Sequence, residues 1–315
     1  MGRHTFLSAL GVAASLIGLY LLYRVIRRYD MGEVVNALGT VPPSTIVLAL
    51  LFTIVGYLFL FGAEYLAVRY TGQPVTVARV ARTAVAALGI GHSIGLSALS
   101  SGAVRYRMYG RAGMKLPEVG RVILFSAVTV ALGLGFVGSM ALIWHSEELA
   151  RLTDVPPLAL MALAAAALSG IAGYLLLCAF GADRLKIRHF HLDVPSFRVA
   201  CAQLFFGSGH LLSVAAVLYA SLRSFTEADY ATLAALYVGA DMSALVGHVP
   251  GGWGLIEYIV TSALEGPHLL AGLIVFRASY YLVPLAIGIG IFVVDEVSGR
   301  RGSRRMMRSA AAHRQ

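Results

Sequence analysis

The chain has 315 residues, 58% of them hydrophobic and 13% charged, against roughly 25% charged in a typical soluble domain. A soluble fold of this length cannot bury so much apolar surface, so the excess faces lipid; a cytosolic enzyme, a disulfide-stapled secreted scaffold and a free nucleic-acid-binding domain are excluded. Lys+Arg outnumber Asp+Glu by 25 to 16, but the arginines collect in short loops beside apolar runs, where they set topology and meet anionic headgroups, and no nucleic-acid partner is expected.

A membrane-spanning helix needs roughly 20 mainly apolar residues. Full-length candidates in chain order are 6–23, 46–68, 119–144, 158–180, 199–222 and 269–294. The first follows Arg3 but is long for a signal peptide, and no small-residue cleavage motif precedes Arg24, so it is expected to remain as an uncleaved span. Two further apolar stretches, 80–103 and 230–264, are interrupted by Gly, Ser, His or Pro, and the second is too long for one simple helix. Irregular backbone inside a membrane is tolerated only when buried in protein or lining a watery cavity. Both stretches are therefore read as broken re-entrant hairpins. Cys178 and Cys201 lie in apolar runs without metal-ligand or CxxC spacing and read as small packing residues.

Charge sets the orientation. The tail holds Arg300, Arg301, Arg304, Arg305, Arg308 and Arg314; the loops around Arg105–Lys115 and Arg184–Arg198 are also basic, and all three are expected in the cytoplasm. The segments 145–157 and 226–229 are acidic and suit the outside. If 80–103 crosses fully, the N-terminus is outside; if it dips in and returns, the N-terminus is cytoplasmic and Arg24, Arg27 and Arg28 fall in an external loop. The re-entrant version is preferred, because it gives two hairpins inserted from opposite sides. Short stretches of the two hairpins also match faintly: Ser100-Ser101-Gly102-Ala103-Val104-Arg105-Tyr106 against Gly252-Trp253-Gly254-Leu255-Ile256-Glu257-Tyr258. An inverted repeat would place a transport site near the midplane.

Ionisable residues inside apolar spans are costly and invite functional readings: Glu64, His92, Arg105, His210, Asp241, His248, Glu257 and Arg277. Glu64 reads equally as an interfacial pair with Arg69, and His210 as a helix-packing hydrogen bond. The second hairpin carries the densest signal, with Asp241, His248, Pro250, Gly251, Gly252, Gly254 and Glu257 close together. The helix beginning near Trp253 points its positive end into the membrane, where it suits an anionic group such as a lipid phosphate. Arg277 lies too deep to face lipid and requires a buried partner, Asp241 or Glu257. No nucleotide, cofactor or metal motif appears in a usable context, so neither cofactor nor metal is expected, and the chain reads as a transporter and not an enzyme.

The run from Gly91 to Arg107 resembles the first re-entrant motif of the lysylphosphatidylglycerol synthase/flippase transmembrane family, which includes the membrane half of multiple peptide resistance factors. The run from His248 to Glu257 is similar to that family's second motif, a Pro-Gly-Gly-x-Gly turn followed by Glu, and Arg277 with Tyr280, Tyr281 and Pro284 resembles its last-span pattern. The resemblance implies an all-α, multi-pass protein of the bacterial inner membrane that handles phospholipids. Its expected parts are a transmembrane flippase-like domain over 1–298 and a basic cytoplasmic tail over 299–315, without the family's aminoacyltransferase half. The expected activity is translocation of phosphatidylglycerol-derived or other anionic or aminoacylated phospholipids along a polar path between the hairpins. Substrate contacts are assigned to Ser101, Arg105, Tyr106, Asp241, His248, Gly251, Gly252, Glu257 and Arg277, the arginines taking phosphate and the carboxylates balancing charge. The competing reading is a membrane scaffold that docks a separately encoded lipid synthase or glycosyltransferase; a less favoured one is a membrane enzyme using His92 or His248 as acid/base. Expected partners are the phospholipid substrate and membrane lipids, with a lipid-modifying enzyme and a second copy of the chain left open.

Overall fold

The computed structural model describes residues 31–94, 97–147, 150, 155–181, 184–187, 190–266 and 268–312. The expected first span and the Arg24–Arg28 loop lie outside the described residues. The chain order is α1 (Met31–Thr40), α2 (Pro43–Tyr70), α3 (Val77–Ile94), α4 (Ser97–Gly110), α5 (Leu116–Trp144) and α6 (Pro157–Phe180). A two-stranded antiparallel hairpin follows, β1 (Arg184–Ile187) and β2 (Phe190–Asp193), with Arg184 opposite Asp193. Then come α7 (Phe197–Leu222), α8 (Tyr230–Gly247), a 3₁₀ turn (Pro250–Gly252), α9 (Leu255–Ala263), α10 (Leu269–Arg277), a π-turn (Ala278–Leu282) and α11 (Val283–Ala312). Apart from the β-hairpin, the described secondary structure is helical.

Local chemistry marks the helix ends. Pro43 opens α2 and Pro157 opens α6, where a missing N–H costs nothing. Glu118 reaches back 2.5 Å to the Lys115 N–H at the start of α5. Asp229 caps α8 by accepting from the Thr232 N–H at 2.8 Å, a bond that holds its carboxyl below the usual carboxylate range. At the other end of α8, His248 adopts a left-handed conformation (φ 54°) and Gly251, Gly252 and Gly254 also take positive φ, which turns the chain back on itself.

Six described helical spans are long and apolar enough to cross a membrane: α2, α5, α6, α7, α8 and the continuous run Leu269–Ser298. Four of the expected spans coincide with α2, α5, α6 and α7, and a fifth with the α10–α11 run. The structure differs at the second hairpin. Its first arm, α8, has 18 residues and is itself long enough to cross, whereas the returning arm, α9, has 9. At 1.5 Å per residue the arms are about 27 and 14 Å long, so the hairpin is strongly asymmetric.

Side-chain contacts give the directions. Gly56 of α2 packs near Ser213 of α7 and Gly62 near Phe206, so α2 and α7 run antiparallel. Gln203 of α7 reaches Phe125 and Thr129 of α5, and Gly207 meets Gly133, so those two run parallel. Both ends of the first hairpin reach the same acidic pair near the middle of α11. Arg79, at the start of α3, pairs with Asp295; Arg111, after α4, pairs with Asp295 and Glu296; Arg107 pairs with Glu296. The α3–α4 hairpin therefore enters and leaves at one end of the bundle, the arginine-rich end. The second hairpin is anchored at the opposite end, where Gly266 lies against the Phe225 carbonyl and Gly272 against the Ser221 carbonyl. Helix, hairpin and helix thus occur twice with opposed entry: α2, α3–α4, α5, then α7, α8–α9, α10–α11.

The main apolar core wraps α7, with Val217, Leu218, Leu233, Ile256 and Phe276 fully or almost fully buried. A second cluster around Val80, Tyr109 and Val119 fixes the arginine-rich end. In the last span, Pro284 cannot donate to the helical ladder, and the π-turn immediately before it takes up the irregularity. α3 crosses closely here: a Cβ on Gly89 would lie 2.5 Å from the Pro284 carbonyl oxygen.

Candidate functional site

The two hairpin tips meet inside the bundle. A Cβ built on Gly251, at the second tip, would come within 2.9 Å of the His92 carbonyl oxygen at the first. Beside this contact lies a cavity of about 470 Å³, walled by α2, α3, α4, α5, α7, α8 and the π-turn. That volume falls within the range of small-ligand sites, roughly 300–1,000 Å³. Its polar lining includes Glu64, His92, Arg105, His210, Asp241 and His248. Val130 and Leu245, which also line it, are exposed on the outside of the bundle, so the cavity reaches toward the surrounding lipid between α5 and α8.

Two buried ion pairs flank the contact between the tips. In the first, Arg105 donates from Nε to Glu64 Oε1 at 2.9 Å and from Nη2 to Oε2 at 2.7 Å. Its Nη1 donates to Ser101 Oγ at 2.9 Å, while the Tyr109 hydroxyl donates to Glu64 Oε1 at 2.9 Å. Both charged side chains are at most 4% exposed. Such a pair is stable only because geometry and added hydrogen bonds offset desolvation.

The second pair is the fastener of the second hairpin. Arg277 donates from Nε to Glu257 Oε1 at 2.6 Å and from Nη2 to Oε2 at 3.0 Å. Two more donors, from Nη1 and Nη2, reach the carbonyls of Gly251 at 2.6 Å and Gly252 at 2.8 Å. The guanidinium lies between the rings of Trp253 and Tyr281, 4.6 and 4.5 Å from their centroids. Glu257 also accepts the Gly254 N–H at 2.8 Å. The positive end of α9, expected to receive a ligand anion, is thus occupied by the chain's own carboxylate.

A third cluster is aromatic and titratable. His210 Nδ1 faces the Gly56 carbonyl at 3.4 Å, and its Nε2 lies 3.2 Å from the Tyr280 hydroxyl. A carbonyl only accepts, so the neutral ring carries its proton on Nδ1 and accepts from Tyr280 at Nε2. The His92 ring stacks against both, with centroids 6.0 Å from His210 and 6.3 Å from Tyr280, and its buried Nδ1 has no partner among the described residues. Asp241 lines the same cavity within electrostatic range of Tyr237, Tyr280 and Tyr281, and makes no hydrogen bond or ion pair among the described residues.

Arg105, Asp241, His248, Gly251 and Gly252 of the sequence-derived set line the cavity. Ser101 stands behind Arg105. Glu257 and Arg277 are not in the lining; all three guanidinium nitrogens of Arg277 donate to the second hairpin itself, so it shapes the tip and does not reach into the cavity. Tyr106 is 51% exposed and points away, since it follows Arg105 by one position on a helix and so faces another side. Glu64 pairs with Arg105 and not with Arg69. His210 does form a packing hydrogen bond, to Gly56, and also lines the cavity. Tyr109, Tyr237 and Tyr280 were not assigned to the site from the sequence; Tyr109 carried a signal, one helical turn after Arg105, and Tyr280 stood in the last-span pattern without a role.

A family model described as lysylphosphatidylglycerol synthase TM region matches residues 9–288. Among curated relatives, the uncharacterized protein slr0712 of Synechocystis sp. is 23% identical over 292 residues, covering 90% of this chain and 91% of its own length. The inner membrane protein YbhN of Escherichia coli K12 is 25% identical over 287 residues, covering 89% of this chain and 85% of its own.

Proposed function

The chain belongs to the lysylphosphatidylglycerol synthase transmembrane family, and on that footing we propose that it moves phospholipid headgroups across the membrane through the cavity between its hairpin tips. The observation that carries the reading is a cavity with a carboxylate, an ion pair and imidazoles in its wall, set between hairpins inserted from opposite ends and reaching lipid between α5 and α8. Polar groups this deep are costly unless they serve a polar guest. The wall offers cationic and imidazole groups to a phosphate and the Asp241 carboxylate to an amine. Phosphatidylglycerol carries the phosphate, and its aminoacylated derivatives add the amine. An inner-membrane location follows from the relative named for it, and the cytoplasmic assignment of the arginine-rich end from the positive-inside rule.

The test uses purified protein in liposomes carrying fluorescent phosphatidylglycerol and, separately, its lysyl derivative, with dithionite quenching to count probe in each leaflet. Exchange faster than in empty liposomes, and slowed by Asp241→Asn, is the expected result. Folded protein that moves neither probe overturns the reading and turns attention to a scaffold for a separately encoded lipid enzyme.

A further inference from the structure

The cavity wall carries more titratable chemistry than gripping a headgroup needs. Glu64 and Arg105 cancel each other at hydrogen-bond distance. From α2, Tyr57 also approaches, its ring 6.2 Å from that of Tyr280. α3 contributes His92 and α7 His210; α8 contributes Tyr237 and Asp241, with His248 capping its C-terminal end at the hairpin tip; Tyr280 and Tyr281 come from the π-turn. Arg277 and Glu257, beneath the second tip, neutralise each other. Among the described residues this leaves Asp241 as the acidic group with no counter-charge and His92 Nδ1 as a buried nitrogen with no partner.

A net charge in a membrane interior is expensive, and a site with a free proton acceptor neutralises instead. With every imidazole neutral, the wall carries one negative charge, on Asp241. One proton brings it to zero. When a phosphodiester enters, the wall becomes negative again, and His92 offers the next acceptor. Its ring is held by stacking on His210 and Tyr280, and His210 is locked in one tautomer by Gly56 and Tyr280, so the incoming proton has a defined place.

We propose that His92, His210, Tyr280 and Asp241 form a proton-binding site inside the membrane, and that one proton travels with each anionic headgroup. The proposal rests on the translocase reading and adds its coupling ion. The proton arrives from water at one end, sits on His92 or Asp241 while the headgroup occupies the cavity, and leaves with it at the other. No bond other than these N–H and O–H bonds forms or breaks.

Two measurements test it. The first needs no lipid movement: infrared difference spectra of the full chain in vesicles, between acid and neutral pH. A protonated-carboxyl band in the wild type, lost in Asp241→Asn and displaced along the pH axis in His92→Gln, is expected. Its absence from folded wild-type protein overturns the proton site and leaves the translocase reading standing. The second uses wild-type proteoliposomes with a pH dye in the lumen and fluorescent phosphatidylglycerol added outside. Lumen acidification as the probe enters is expected, with accumulation of probe in the inner leaflet when the outside is made acidic. Probe exchange that carries no protons and ignores the gradient overturns the coupling alone. No exchange at all overturns both the translocase reading and the coupling built on it.

Discussion

The His92 carbonyl, at the tip of the hairpin that enters from the arginine-rich end, lies directly against Gly251, at the tip of the hairpin that enters from the other. Gly251 has φ 57° and space for no Cβ there: the Trp253 ring would also stand 2.9 Å from one. Gly251→Ala therefore combines a left-handed alanine, costing about 1–2 kcal/mol, with forced separation of the tips. Lipid exchange should fall further than that stability loss explains. Gly252→Ala is the comparison: its φ is similar, but the Cβ meets the flexible end of Ile256 at 3.0 Å, away from the tip contact. Cys178 and Cys201 are free and half-buried, so a thiol-reactive dye reads thermal unfolding of both variants. Equal exchange by the two variants would show that the tip contact is incidental.

Arg277 ties four acceptors together: both oxygens of Glu257 and the carbonyls of Gly251 and Gly252. Removing one partner of a buried pair costs about 3–5 kcal/mol, because the other charge is left uncompensated. Arg277→Ala and Glu257→Ala should each lower the melting temperature markedly, and the double variant should be less harmed than the two effects added. Arg277→Lys should behave like Arg277→Ala, since an ammonium cannot span the fork or stack between Trp253 and Tyr281. A lysine variant as stable as wild type would remove the fastener role.

The pair in the cavity wall allows structure and function to be separated. Replacing both members of a buried ion pair with apolar residues of similar volume is often neutral or stabilising. Glu64→Leu with Arg105→Met should thus keep the fold, whereas either single replacement should destabilise it. The double variant should nonetheless lose lipid exchange, because the cavity then lacks its guanidinium. Retained exchange would assign the pair to packing alone.

Much of this architecture was legible in the sequence, for a physical reason. The hairpins announce themselves through clustered Gly, Ser and His in the first and the Pro-Gly-Gly-x-Gly turn in the second, and the basic loops gather at one end as topology requires. Depth alone required a buried acid for Arg277 and left Asp241 and Glu257 open; packing of the second hairpin selects Glu257. Glu64 was harder. It sits near the end of an apolar run with Arg69 close by, yet residues five apart on a helix point to different sides. Its partner, Arg105, lies on another element brought near only by packing of the first hairpin against α2. The His92–His210–Tyr280 stack joins three elements that no local pattern links, and the reading of 230–264 as a broken re-entrant hairpin said nothing of how unequal its arms are.

The close crossing of α5 and α7 gives the last prediction. Gly133 of α5 lies against the backbone of Gly207 of α7. A Cβ on either meets main-chain atoms, which cannot swing aside as a side chain can; on Gly207 it strikes the Thr129 carbonyl. Gly207→Ala must therefore push the two helices apart, with a cost of about 1–3 kcal/mol from overpacking and loss of the Gln203 bonds to α5. Gly170 and Gly173 on α6 have nothing within 4 Å of an added Cβ, and alanine there should raise stability by about 0.5–1 kcal/mol through helix propensity. All of these are glycine-to-alanine changes inside long apolar helices, so composition and hydropathy are matched. Melting curves of the single variants, read with the thiol dye, should give opposite signs for α7 and α6. The same sign in both would mean that close backbone contact does not set the spacing of α5 and α7.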